Sequence, residues 1–158
     1  MRGEEIYLDG NINANTSGFG KAGDITITSP ELTLSDRANI AANTNINSDG
    51  EGGNITITSP TSVSISGGVR FQPPRAVRVR GQIEINNPHI QMKGGVNITT
   101  STEGAGNAGS ISLRGEEIYL DGNINANTSG QGKAGDITIT SPELTLSDRA
   151  NIAANQYQ

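Results

Sequence analysis

Arg70, Arg75, Arg78 and Arg80 place four of the chain's eleven basic residues in one short stretch. Guanidinium groups pair well with planar anions, so the cluster reads as a contact for an acidic polysaccharide or for phosphate groups. The plainer reading is a solvated loop and strand face in an otherwise acidic protein. Asn45, Asn47, Asp49 and Gly50 copy the opening of a calcium loop. Such a loop closes with a bidentate Glu at its twelfth position, and counted from Asn45 that position is Thr56. A turn between repeats is the better reading, and no metal site is expected. His89 is the single histidine and there is no cysteine, which excludes disulfides and thiolate metal sites and leaves little for zinc or a nucleophilic triad. It follows Pro88 and reads as a surface turn residue.

Tyr7 and Tyr119 lie between apolar neighbours in an alternating pattern and should point outward. There they can stack on sugars or cover a neighbouring loop. Polysaccharide lyases and hydrolases need clustered carboxylates, or a basic residue beside them, on one face. Here Glu84 is the only acid among its equivalents, which are Thr26, Thr56, Ser112 and Thr138. Glu116 and Glu117 repeat as Glu4 and Glu5, which reads as a structural face. A non-catalytic chain without cofactor is the expectation.

These side chains need a scaffold, and the composition narrows what it can be. The chain has 158 residues and a mass of 16.4 kDa. Leu, Ile, Val and Phe make up only about a fifth of it, close to the level at which chains tend toward disorder. Such a chain must be disordered or use its few apolar residues with great regularity. The net charge of −5 argues against nucleic acid as a partner. No apolar run reaches membrane-spanning length, so membrane insertion is not expected. Met1-Arg2-Gly3-Glu4-Glu5 does not read as a signal peptide.

Repeats supply the regularity. Arg2 to Asn43 recurs 112 positions later as Arg114 to Asn155, and only Phe19 against Gln131 differs. A shorter period lies inside, opened by Gly23, Gly53, Gly81, Gly109 and Gly135. Each unit alternates apolar and polar residues three times, the signal of short strands. In the unit from Gly23 the pairs are Ile25/Ile27, Leu32/Leu34 and Ile40/Ala42. Ser29-Pro30 marks the first corner, since proline cannot donate to a ladder. Asp36-Arg37 and the Gly/Asn/Ser-rich stretches mark the others.

One such unit cannot bury its own apolar face, but a stack of them can. The first strand predicts the columns Ile25-Ile55-Ile83-Ile111-Ile137 and Ile27-Ile57-Ile85-Leu113-Ile139. The second predicts Ile6-Leu32-Val63-Ile90-Ile118-Leu144 and Leu8-Leu34-Ile65-Met92-Leu120-Leu146. The third predicts Ile12-Ile40-Phe71-Ile98-Ile124-Ile152, with Phe71 a loose fit. Recurring asparagines (Asn39, Asn43, Asn97, Asn123, Asn127, Asn151 and Asn155) predict amide ladders along the axis.

The expectation is an all-β, single-stranded parallel β-helix of about five to six three-strand coils. It forms one domain over 1–158, with units at 23–52, 53–80, 81–108 and 109–134. Partial units at 1–22 and 135–158 flank them, and residues of about 67–80 form an irregular loop. A left-handed hexapeptide helix would show an apolar residue every six positions, which is absent. Neither end shows a cap, and unpaired strand edges invite stacking, so end-to-end association of copies is expected.

Gly-(Asp/Asn)-Ile-Thr-Ile-Thr-Ser-Pro followed by Leu-Thr-Leu-Ser resembles the repeat region of filamentous-haemagglutinin-like bacterial exoproteins, two-partner-secreted and S-layer-like. The resemblance implies a right-handed coil, a secreted or cell-surface location and adhesive roles. It makes this chain a stalk segment. The alternative is a weak binding module for acidic host or extracellular glycans, using Arg70 to Arg80 with Tyr7 and Tyr119 as contacts.

Overall fold

The computed structural model describes residues 1–16, 20–35, 38–42, 52–67, 70–72 (backbone only), 81–100, 106–129 and 131–157. In chain order the strands are β1 (Glu5–Leu8), β2 (Asn11–Asn13), β3 (Ile25–Thr28), β4 (Glu31–Leu34), β5 (Asn39–Ala41), β6 (Ile55–Thr58), β7 (Ser62–Ser66) and β8 (Arg70–Gln72). Then come β9 (Ile83–Asn86), β10 (His89–Thr99), β11 (Ile111–Arg114), β12 (Glu117–Asn125), β13 (Ile137–Thr140), β14 (Glu143–Leu146) and β15 (Asn151–Ala153).

The fold is an all-β parallel solenoid. One sheet holds five strands in the order β13-β11-β9-β6-β3. The other holds ten, because its two stacks are joined through β10 and β12. Five stacked strands bound about four full turns, with a partial turn at either end, slightly fewer than the five to six coils expected.

The register matches the columns read from the sequence. Ile25 pairs with Ile55, Ile55 with Ile83, Ile83 with Ile111 and Ile111 with Ile137. The second stack runs Ile6, Leu32, Val63, Ile90, Ile118, Leu144. The third runs Ile12, Ile40, Phe71, Ile98, Ile124, Ile152. The middle rungs are fully buried, as at Ile57, Ile85, Ile90 and Leu120. Each such side chain contributes about 1.5–3 kcal/mol of burial, and the columns are what hold this polar chain in one fold.

Two departures have local causes. In two coils the second and third strands are not separate: β10 and β12 run through the corner as long bent strands. Gly94 and Gly95 stand at φ values of +75° and +82°, so the chain turns in the left-handed region without ending the strand. In the 67–80 stretch, read as a loop, Arg70–Gln72 forms β8 and pairs with β5 and β10.

The corners are closed by short polar side chains. Ser29, Ser59 and Asn87 occupy one corner column and are buried. Ser59 Oγ donates to the Pro30 carbonyl at 2.5 Å and to the Ser62 carbonyl at 3.1 Å. Asn87 Nδ2 donates to the Ser59 carbonyl at 2.7 Å. Corner carbonyls are thus paired both from a neighbouring coil, as at Pro30 and Ser59, and within the corner, as at Ser62.

Candidate functional site

The outward face of the second stack carries two columns with chemistry. The first is Glu5, Glu31, Ser62, His89, Glu117, Glu143. The second is Tyr7, Thr33, Ser64, Gln91, Tyr119, Thr145. Tyr7 is 66% exposed and points outward as expected. Tyr119 is half-buried, with Lys93 Nζ 5.8 Å from the centre of its ring, a cation–π contact. His89 opens β10 rather than sitting in a turn, and its Nδ1 lies 3.4 Å from Glu117 Oε2. Both groups are about half exposed, so the pair contributes little to stability.

Like charges directly opposite on neighbouring strands repel. Glu5 faces Glu31, and Glu117 faces Glu143, beside the tyrosine column. This face carries negative charge.

A second polar centre was not read from the sequence. Asp121 is buried at the corner between the second and third strands. Its Oδ1 accepts from Ser147 Oγ at 2.8 Å and from Arg149 Nε at 3.0 Å. Its Oδ2 accepts from the terminal Arg149 nitrogen at 2.6 Å and from the Gly94 amide at 3.2 Å. The hydrogen bond from Ser147 is the main cause holding its pKa below the ordinary carboxylate value, with Gly94 and Arg149 adding to it against the cost of burial. This carboxylate clamps three successive coils. Ser147 follows Asp121 by one unit length, and Asp9, Ser35 and Arg37 repeat the set in the first copy. That recurrence is the signal that could have found it.

A related device lies before the first strands. Asp24 Oδ1 accepts the Asn54 amide at 2.7 Å, and Asn54 Oδ1 accepts the Gln82 amide at 3.1 Å. Asn107 Oδ1 accepts the Lys133 amide at 2.9 Å. The Asn54 amide also lowers the Asp24 pKa. Asn97, Asn123 and Asn151 do stack in register. The side-chain bond seen among the predicted asparagines is different in kind: Asn127 Oδ1 accepts the Asn155 amide at 2.8 Å. Asn39 Oδ1 is buried without a partner among the described residues.

Glu84 sits in the column with Thr56 and Ser112, in the register read from the sequence. Among the described residues, no three acidic or histidine side chains gather as a metal cluster. The Arg70 side chain and all of Arg75, Arg78 and Arg80 lie outside the described residues, as does the Asn45 to Gly50 stretch.

The last coil exposes large apolar side chains. Leu144, Leu146 and Ile152 are 44%, 50% and 40% exposed. Their copies Leu32, Leu34 and Ile40 are at most 1% exposed, under the coil that contains β6, β7 and β8. Identical sequence thus occurs once covered and once open.

Compared with protein-family models, curated proteins and solved structures, the chain matches none of them.

Proposed function

We propose that the chain is a non-catalytic structural or adhesive solenoid segment, which extends a stalk and stacks end to end with further coils. The observation that carries this is the stack itself: the rungs pair in one register, and Leu32, Leu34 and Ile40, which have a coil on either side, are at most 1% exposed. A coil with exposed apolar columns and unpaired strand edges gains both burial and hydrogen bonds from another coil. The proposal extends to a secreted or cell-surface bacterial exoprotein of the filamentous-haemagglutinin-like kind. That part rests on the Gly-Asp-Ile-Thr-Ile-Thr-Ser-Pro repeat.

Light scattering after size exclusion, over a hundredfold range of concentration, tests the stacking. The mass of the unaltered chain is expected to climb with concentration, and Leu144→Lys with Leu146→Lys is expected to hold it at the monomer. A constant monomer mass for the unaltered chain would remove the proposal.

A second reading, glycan contact, is favoured by the 66% exposure of Tyr7 in a column with Thr33, Ser64 and Gln91. Tyrosine offers sugars a wide apolar surface with a polar tip. The acidic column beside it points to neutral glycans at this face, with acidic ones left to the arginine stretch. A glycan array with Tyr7→Ala and Arg75→Ala plus Arg78→Ala variants separates the two, and no binding to either class would dismiss this reading.

A further inference from the structure

The place between each opening glycine and the first strand is held in turn by Asp24, Asn54, Gln82, Ser110 and Asp136. In the early coils this column caps itself. Asp24 Oδ1 accepts the Asn54 amide, and Asn54 Oδ1 accepts the Gln82 amide, each across one coil. The carbonyls of the column face the same way. Ile25 donates to Asn54, Ile55 to Gln82, Ile83 to Ser110 and Ile111 to Asp136. An extended residue presents its N–H and C=O to one side, so the amides of Ser110 and Asp136 also face the preceding coil. Gln82 is a methylene longer than Asn54, and Ser110 ends in a hydroxyl. Neither caps the next coil, and those two amides have no acceptor among the described residues.

A cleft of about 400 Å³ opens where the caps stop, lined by Gln82, Asn107, Ser110, Lys133 and Asp136. The Lys133 backbone is fixed there by the preceding coil. Its amide donates to Asn107 Oδ1 at 2.9 Å, and its carbonyl accepts from the Ala108 amide at 2.9 Å.

The first copy indicates the missing partner. Lys21 and Asp24 are the copies of Lys133 and Asp136. Lys21 Nζ lies 3.5 Å from Asp24 Oδ1, the same oxygen that takes the Asn54 amide. One carboxylate there answers a backbone amide and an ammonium group together. The Asn54 amide, with Lys21 adding to it, holds the Asp24 carboxyl below its ordinary value against the cost of burial. The arrangement therefore favours the ionised form. In the cleft the same two kinds of donor meet no carboxylate of the chain: Lys133 makes no ion pair with Asp136 among the described residues.

We propose that this cleft binds a small hydroxy-carboxylate of the kind a uronic acid presents. Its carboxylate accepts the Asp136 amide and pairs with the Lys133 ammonium. A second oxygen one rung away, at about 4.8 Å, accepts the Ser110 amide. Charge-assisted bonds of this kind are the stronger ones. The Asp136 carboxylate sets one negative charge against the one cation, which selects a monoanion over a phosphate dianion. The cleft spans three successive coils and both amides face back into them, so the site is independent of what stacks on the last coil. It is also separate from the Tyr7 column and does not rest on glycan contact there.

The test follows the amide chemical shifts of Ser110 and Asp136 in the full chain at constant ionic strength. The probes are glucuronate, acetate and glucose. Glucuronate is expected to shift both amides saturably, acetate to shift that of Asp136 alone, and glucose to shift neither. Lys133→Met is expected to weaken glucuronate binding at least about tenfold, the loss of one hydrogen bond to a charged group. Ser110→Asn supplies an internal cap to the Asp136 amide, as Asn54 does for Gln82. It is expected to abolish the response of Asp136, while the Ile85 and Leu113 methyls keep their folded positions. No saturable shift with glucuronate, an equal response to glucose, acetate matching glucuronate at both amides, or a response that survives Ser110→Asn in a folded chain would each overturn the proposal.

Discussion

Gly53, Gly109 and Gly135 show what a single position demands in this chain. A Cβ on each would overlap the carbonyl oxygen of the glycine one coil earlier. The backbones pass too close for any side chain, so Gly109→Ala must push two rungs apart. Overpacking of this kind costs about 1–3 kcal/mol or more, and thermal or urea unfolding is expected to show a loss of that size. Asp121 makes a second claim at this scale. Its folded pKa is depressed, so its contribution is full above the ordinary carboxylate value and is lost as pH falls through the folded one. Stability is expected to rise with pH from below the folded pKa of Asp121 to above the ordinary carboxylate value, and Asp121→Asn is expected to flatten that rise. An unchanged pH profile in the variant would contradict the clamp. The glycines were legible as unit openers. The clamp was not read, because a carboxylate buried at a corner declares itself only once the register brings a serine 26 and an arginine 28 residues away to its side.

At the scale of the strand, duplication provides an internal control. Leu34 and Leu146 are the same residue of the two copies, 0% and 50% exposed. Leu34→Ala should cost about 2–5 kcal/mol, the range for an aliphatic side chain lost from a packed core. Leu146→Ala should cost under about 1 kcal/mol, since much of that side chain already meets water. Equal costs would mean that the final rung is covered in solution, and the comparison is best made at low protein concentration. The columns could be read in advance because alternation fixes which residues face inward, and a nearly constant unit length fixes which of them meet. The fusion of second and third strands in β10 and β12 could not. Gly94-Gly95 looks like a break in the sequence, and only its φ values make it a bend within a continuous strand.

For the whole molecule, stacking decides both stability and proposed function. The sequence-derived column from Ile6 to Leu144 keeps one register, and the shift between Met92 and Val96 in the β10–β12 pair falls between the second-strand and third-strand columns. Function was less legible than fold, for a physical reason. A solenoid core imposes a period on the chain, whereas a binding face needs only a few residues at one place. The residues of the proposed contact face, Tyr7 and the acidic column, differ little from the solvated background of the repeat.

The central claim is that copies 112 residues apart in sequence stand in one column only four rungs apart. Thr33 and Thr145 are such a pair, linked through Ser64, Gln91 and Tyr119. The chain has no cysteine, so Thr33→Cys with Thr145→Cys can carry two spin labels without further change. Four inter-strand steps make about 19 Å between the backbones. A pulsed dipolar measurement is predicted to give one narrow distance near that value, allowing for the label arms. A broad distribution, or a narrow one centred several rungs further out, would contradict the stacked register and with it the surfaces on which the proposed function rests.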